Sequence, residues 1–504
     1  MSDTKPKPAG IGPDTPPVLL YLGRYGTDSM IDLWGPEQTF QFSLEAQSAA
    51  VKMLSELHPQ VVPPEKAEEL AKAATLGVID PQRIREIESA TGHDVIAINR
   101  AWAEKVDAGA ATHINKARTS ADTTETAKAL QIKSSIQVII DSLENLRDIT
   151  IEKAVKWMDV PHMDTTHWID ALPTRVGRPF SFYAEMLQAD LDFWAFVYSS
   201  SIMGKWADAT GNHHSATALD INGIELQDRY CESLGLKHMI ANAQVPGREY
   251  LADVIYAMAR TAETINNLAF YIAWGKGSDV SLFYDDNPQK RKGSSAMPHK
   301  DMVGGNPTAE EQAESFANLM RGNLVTALSS CKFRYGRDLS GSASDRDIFN
   351  SAFKFGDHVI RRIASTIYYL GLNEERSKER VTRTYGVITA QQVMTYLTDQ
   401  RRTNNPMTRE DAHDLMGELA TIAYQEKRSF LEVLLADNQV TDRLDSKTLE
   451  HITDPFQYIG QSKEIIKAVA EAYYGKKKVG TNSFFETSAK HRPLADRFVR
   501  LSFS

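Results

Sequence analysis

One stretch of this chain concentrates residue types that can do chemistry: GSSAMPHKDMVGGNPTAEE, Gly293 to Glu311. Ser294 and Ser295 follow a glycine, Lys300 comes shortly after, and Gly304-Gly305 and Asn306-Pro307 close the run. A serine hydroxyl is a poor base at neutral pH. It takes a proton only where backbone amides, a helix N-terminus or a cation stabilise the alkoxide. Gly293 allows close backbone approach around Ser294, and Lys300 offers a cation that can reach a carboxylate. The pattern fits a loop that closes over an acidic substrate and presents Ser294 as a base. A flexible surface loop with one chance lysine fits the same spacing.

Other segments carry comparable groups, each with a plainer reading beside it. His93-Asp94, in TGHDVIAI, sets an imidazole by a carboxylate, or simply begins a helix with polar residues. Thr119-Ser120, in ARTSADTTET, precedes a long helix. Hydroxyls and open amides there suit a carboxylate, while Ser120 or Asp122 also suits N-capping. His167, in DTTHWIDALPTRVG, has the pKa range for proton transfer, or is a buried polar side chain. Asn212 follows Gly211 in a turn-like DATGNHHSA. The adjacent His213 and His214 rarely point the same way, so no metal pair is expected. Arg248 stands in QVPGRE, and Arg337, Ser342 and Arg346 stand in GRDLSGSASDRDI. Two arginines and a serine give donors for an anion, or else mark a solvated helix start. Arg24-Tyr25, in RYGTDSM, offers a planar guanidinium suited to forked phosphate contact, or a surface arginine beside a packing tyrosine.

The elements that must position these groups read as helices. Leu130, Ile132, Ile136, Ile139, Leu143 and Leu146 recur near the 3.6-residue period between Ala127 and Trp157. Leu251, Val254, Ile255, Met258, Ala262, Ile265, Leu268 and Ile272 do so between Arg248 and Trp274. Both segments also carry apolar residues off the main stripe, as a bundle or oligomer core requires. Period-two runs are few, and the fold class is all-α. The expected organisation is a disordered proline-rich lead-in (1–17), an N-terminal helical domain (18–125), a central long-helix bundle with the serine loop (126–372), and a C-terminal helical domain with a tail (373–504). Thr408, followed by Asp411, marks a helix start close to a capping box. The tail from Lys476 is basic, then polar and aromatic, and is expected to pack on a neighbouring subunit.

Composition narrows the function classes. The 504 residues carry a net charge of -9, so no broad basic field is available for nucleic acid. An anionic substrate then needs a locally basic pocket. No run reaches the roughly 18 apolar residues of a membrane span, and no signal-peptide core opens the chain. With only Cys231 and Cys331, neither a disulfide framework nor a cysteine zinc site is expected. The expected setting is reducing and cytoplasmic.

The string GSSAMPHK followed by Asn-Pro and Glu resembles the signature of the fumarase/aspartase superfamily. More narrowly, the chain from about Arg24 to Tyr474 resembles the adenylosuccinate lyase family. The resemblance implies a C–N lyase that eliminates fumarate from a purine nucleotide without metal or organic cofactor. It implies Ser294 as the base, His167 as the acid for the leaving nitrogen and His93 as a further catalytic group. It implies substrate contacts from Arg24, Tyr25, Asp94, Thr119, Ser120, Asn212, Arg248, Lys300, Asn306, Arg337, Ser342 and Arg346. It also implies a homotetramer whose sites are shared between subunits. The chain departs from the family pattern at the inserted Asp301 to Gly305, at Asn115 where a histidine is usual, and at Asp164 and Trp168 where glycines often flank the Thr-His pair. These departures leave open a relative acting on another N-succinyl adduct. A non-catalytic descendant is the third reading, and retention of Ser294 and His167 argues against it.

Overall fold

A computed structural model describes residues 25–287, 294–303, 305–334 and 336–477. The N-terminal helices are α1 (Asp28–Leu33), α2 (Pro36–Leu57), α3 (Pro64–Ala73), α4 (Pro81–Thr91) and α5 (Asp94–Ala103). The long helix α6 (Ser120–Lys156) then leads into a hairpin of β1 (Pro161–Thr166) and β2 (Ile169–Arg175). Next come α7 (Gly177–Ser200), α8 (Gly223–Ser233) and α9 (Glu249–Lys276). A short strand, β3 (Phe283–Asp285), precedes the serine loop, which leads to α10 (Thr308–Ser329) and α11 (Ser342–Tyr368). Strand β4 (Leu370–Leu372) returns antiparallel to β3. The C-terminal helices are α12 (Glu374–Thr382), α13 (Ala390–Thr398), α14 (Arg409–Glu426), α15 (Phe430–Leu435), α16 (Ser446–Ile452) and α17 (Ser462–Tyr473).

The apolar stripes read from the sequence become the core. Ile132, Ile136, Ile139, Leu143 and Leu146 of α6 are fully buried, as are Ile255, Ile265, Leu268 and Ile272 of α9. One continuous cluster joins them to α7, α10, α11 and the N-terminal helices. A separate cluster, with Val393, Leu397, Leu419, Phe430 and Leu449 at its centre, holds α13 to α16 together. Thr408 caps α14, with its Oγ1 accepting from the Asp411 amide at 3.1 Å. The cap differs from a full box: the Asp411 carboxylate accepts from the Thr408 hydroxyl at 2.7 Å.

The bundle helices run alternately, which gives the molecule two ends. At one end, the C-terminus of α6 meets β3 and the start of α7: Trp157 stacks on Phe283 at 5.8 Å, and Phe180 meets Phe283 edge-on at 5.9 Å. Lys276 at the end of α9 pairs with Glu310 at the start of α10 at 2.6 Å. Lys153 donates to the Leu370 carbonyl at 2.8 Å, bringing the end of α11 there too. At the other end lie the start of α6, the start of α9 and the start of α11. Helix α6 has 37 residues, so the two ends are about 55 Å apart along it.

The hairpin is the one clear departure from the expected all-helical run between α6 and α7. Its register shifts between Met163 and Thr165, so a bulge interrupts the ladder and two residue pairs, Thr165 with Asp170 and Thr166 with Ile169, lie beyond it. The C-terminal segment holds the hairpin at its base and near its tip. Ser377 of α12 donates to the Pro161 carbonyl, and Arg383 grips Asp170 with two bonds of 2.7 Å. The chain leaves the hairpin into α7 through Gly177, whose missing Cβ would stand 2.0 Å from the Ala154 carbonyl oxygen of α6. At the other terminus Arg147 donates to the Lys476 carbonyl at 2.8 Å and Lys477 pairs with Glu144 at 2.6 Å. These first tail residues therefore fold back on α6 of their own chain, and the rest of the tail lies outside the described residues.

Gly177→Ala drives a methyl into backbone that has no side chain to move aside. It should destabilise the protein by about 1–3 kcal/mol, the usual cost of overpacking. A thermal midpoint equal to that of the native chain would contradict this crossing.

Candidate active site

The start of α6 is organised around Asp122. Thr119 is the N-cap, and it forms a complete capping box with Asp122, whose carboxylate accepts the Thr119 amide at 2.8 Å. Such a cap contributes about 1 kcal/mol. Asp122 is fully buried and has two further donors: the ammonium of Lys205, also fully buried, and the Ala207 amide at 3.0 Å. Lys205 in turn donates to the Asp208 carbonyl at 2.8 Å. The Asp208 carboxylate takes the Ser215 hydroxyl at 2.6 Å, and these bonds lower its pKa despite burial. The turn carrying Asn212 is thus tied to Thr119 and Ser120. Gly211 (φ +79°) passes so close to the Asn242 carbonyl that a Cβ would lie 2.0 Å from it, which leaves glycine as the residue that fits. Arg118 packs against the rings of Trp206 and Tyr230, 5.5 and 5.8 Å from their centroids.

One turn along α6 sits a second charged cluster. Glu125 takes two bonds from Arg248, at 2.6 and 3.1 Å, and lies 3.5 Å from Lys128. Asp345 of α11 lies 3.4 Å from Arg248 and 3.8 Å from Lys128. Burial opposes ionisation of both acids, with different outcomes. At Glu125 Lys128 and Arg248 outweigh burial and hold the carboxyl down to about 2. At Asp345 burial prevails and the pKa is raised. Arg248 is therefore engaged with protein carboxylates. The cluster fixes the start of α11, where Ser342 occupies the first turn and Arg346 is exposed just beyond it. Arg337 donates to Gln244 at 2.7 Å, which joins the QVPGRE segment to the same end of the bundle. Thr119, Ser120, Asn212, Arg248, Arg337, Ser342 and Arg346 are thus brought together at one end of the bundle. Lys205, Asp122 and Gln244 belong to this assembly as well. The sequence reading passed over Lys205 and Gln244 because partners so distant along the chain leave no local spacing to find.

The remaining candidates lie elsewhere. Tyr25 packs edge-on against Phe355 and His358, at 6.2 and 5.8 Å, about two and a half turns along α11 from Arg346. Arg24 falls outside the described residues. His93 is the N-cap of α5, with Nδ1 3.3 Å from Asp94. Asn115, at the position where the family often has histidine, adopts φ 57°, a left-handed conformation that asparagine tolerates well.

The far end of the bundle carries the serine loop and the hairpin. Ser294 Oγ accepts backbone N–H bonds from Ala296 at 3.3 Å and Met297 at 3.1 Å. A 3-10 turn, Pro298–Val303, follows, and Lys300 Nζ donates to Asn306 at 2.9 Å. Gly293 and Gly304 lie outside the described residues. His167 and Trp168 are the two residues of the hairpin turn, with φ 52° and 69°. Two positive φ angles mark a type I′ turn, which favours asparagine and glycine. Other residues meet a left-handed cost of about 1–2 kcal/mol each. His167 is exposed, in contrast to its plainer reading as a buried polar residue. The second histidine of the hairpin, His162, is buried and its pKa is pushed down to about 3 by burial and then by Arg380. It therefore stays neutral, which leaves His167 as the hairpin imidazole open to a substrate. Among the described residues no group of His, Cys, Asp or Glu side chains clusters as a metal site. Among them, too, no helix is long and apolar enough to cross a membrane.

The lowered pKa of Glu125 sets a pH dependence. Its folded value, about 2, lies below the ordinary 4.5, so the stabilisation is present above pH 4.5 and is lost as pH falls towards 2. Glu125→Gln should cost up to about 3 kcal/mol at neutral pH, with the deficit shrinking in acid. Denaturant midpoints measured from pH 7 to pH 3 would show whether the two proteins converge.

Comparison with known proteins fits this layout. The profile of the family described as "Lyase" matches residues 23–322, and that described as "Adenylosuccinate lyase C-terminus" matches residues 386–469. Adenylosuccinate lyase of Methanocaldococcus jannaschii is 30% identical over 455 residues, covering 90% of this chain and 96% of that protein. The Bacillus subtilis adenylosuccinate lyase is 29% identical, covering 87% and 96%. Among solved structures, a Mesorhizobium fumarate lyase superposes with a TM-score of 0.76 at 18% identity, covering 89% of this chain and 98% of that one. The 3-carboxy-cis,cis-muconate lactonizing enzyme of Pseudomonas putida gives the same TM-score and identity, covering 90% and 98%; these two likenesses concern the fold. The chain belongs to the adenylosuccinate lyase family of the fumarase/aspartase superfamily.

Proposed function

We propose that this protein eliminates fumarate from succinyl-AMP, and from the succinylated aminoimidazole carboxamide ribotide, in cytoplasmic purine nucleotide biosynthesis. The observation that carries the chemistry is the pair of amide N–H groups at Ser294 Oγ. They supply the electrostatic support without which a serine is no base. Ser294 takes the proton from the carbon beside a succinyl carboxylate. The resulting carbanion is held as an aci-carboxylate by Lys300, the loop amides, Thr119 and Ser120. Its electron pair then forms the fumarate double bond as the C–N bond breaks. His167 delivers a proton to the departing nitrogen, and His93, beside Asp94, supports the reacting succinyl group. Arg337, Ser342 and Arg346, with Arg24 and Tyr25, receive the nucleotide; the start of α11 suits its phosphate. Asn306 positions Lys300, and Asn212 lines the entrance. Arg248 acts by holding Glu125 and Asp345 beneath the nucleotide site.

The reading includes a homotetramer with shared sites. The ends of the bundle are tens of ångströms apart, so a site needing Thr119 and Arg346 together with His167 and Ser294 draws on more than one copy. Exposed Phe182 and Phe196 on α7, Tyr256 and Phe270 on α9, and Val325 and Leu328 on α10 offer apolar faces for that assembly.

Fumarate release from succinyl-AMP tests the substrate; a folded protein that releases none rules this function out. Ser294→Ala and His167→Asn should each lower kcat by about 10²–10⁴. Mixing dissociated His167→Asn and Arg346→Ala subunits should restore activity that neither has alone. A mixture as inactive as its parents would count against shared sites.

A further inference from the structure

We propose that Trp168 is a positioning residue: its contact with Phe270 of α9 fixes the hairpin tip and so aims the imidazole of His167. The proposal rests on His167 as the proton donor to the leaving nitrogen. Beyond the bulge the tip is carried by two residue pairs, so the ladder alone holds it weakly. Asp170, gripped by Arg383 and 3.8 Å from Arg380, secures the β2 side below the turn. Among the described residues no such clamp secures the turn itself. Instead, Trp168 meets the Phe270 ring edge-on, with centroids 6.2 Å apart and planes at 78°. The two rings border a cleft of about 610 Å³ that Phe182, Tyr271 and Trp274 also line.

The backbone argues that this contact has a purpose. A bulky residue at φ 69° stands where a type I′ turn favours glycine, and such strain persists only where the surroundings over-determine it. Burial within its own chain does not explain the tryptophan, because 77% of it remains exposed there. What the ring provides is an edge-to-face tether from the turn to a rigid helix. His167 shares a peptide bond with Trp168, so rotation of the tip moves the imidazole directly. Proton transfer needs a heavy-atom separation of about 2.6–3.2 Å, which leaves little room for such rotation.

Trp168→Gly separates the tether from the fold, since glycine adopts this φ without strain. The variant should keep or raise the thermal midpoint, keep KM within about twofold, and lose roughly ten- to a hundredfold in kcat. Trp168→Phe, which can still meet Phe270, should recover most of that loss. Phe270→Ala should reproduce the loss, and the double variant Trp168→Gly/Phe270→Ala should add little to it. Native kcat in Trp168→Gly, while His167→Asn is inactive, overturns the tether and leaves the proton donor standing. Native kcat in His167→Asn removes the proton donor itself. A fall in kcat matched by a fall in thermal midpoint, or a change confined to KM, also overturns the positioning role.

Discussion

The arrangement depends first on a carboxylate without water. Asp122 is fully buried, and an isolated charge there would cost several kcal/mol. Three donors that come from three places surround it: the Thr119 amide, the Lys205 ammonium and the Ala207 amide. Each donor fixes one part of the candidate site. The first closes the end of α6 beside Ser120, and the other two draw in the segment that leads to Asn212. Removing Lys205 would leave the same carboxylate stranded, which is strongly destabilising at a buried site.

The second constraint is length. Helices α6, α9 and α11 have 37, 28 and 27 residues, and every candidate group among the described residues lies near one end or the other of this bundle, on the N-terminal helices, or partway along α11. Helices of this length keep the donors at the start of α6 and α11 away from the serine loop. The exposed apolar residues on α7, α9 and α10 make sense against the same constraint, because a surface of that kind calls for a covering. Polar groups at the ends and apolar groups along the sides are two aspects of one design.

The sequence was legible where the physics is local. Periodic Ile and Leu placed α6 and α9, and Thr408 with Asp411 marked the start of α14. The hairpin was not legible. Pro161 to Arg175 shows no strict alternation, and His167-Trp168 is not a pair that favours a two-residue turn. Its shape comes from clamps supplied by Ser377 and Arg383, more than 200 residues away in the chain. The same holds for Arg248. As a lone arginine it looked available for substrate, and only the fold shows Glu125 and Asp345 waiting for it. Long-range pairing of charges leaves no spacing rule for a reader of the sequence.

Gly177 has a bearing on how this protein can drift. The crossing of α6 and α7 that launches the hairpin is backbone against backbone, with no room for even a methyl group. Side-chain substitutions in the core can loosen or tighten most helix contacts by degrees, but here there is no side chain to vary. The base of the hairpin is therefore closed to gradual mutational adjustment. Variation that tunes where the imidazole points has to accumulate at the tip and in the helix beneath it.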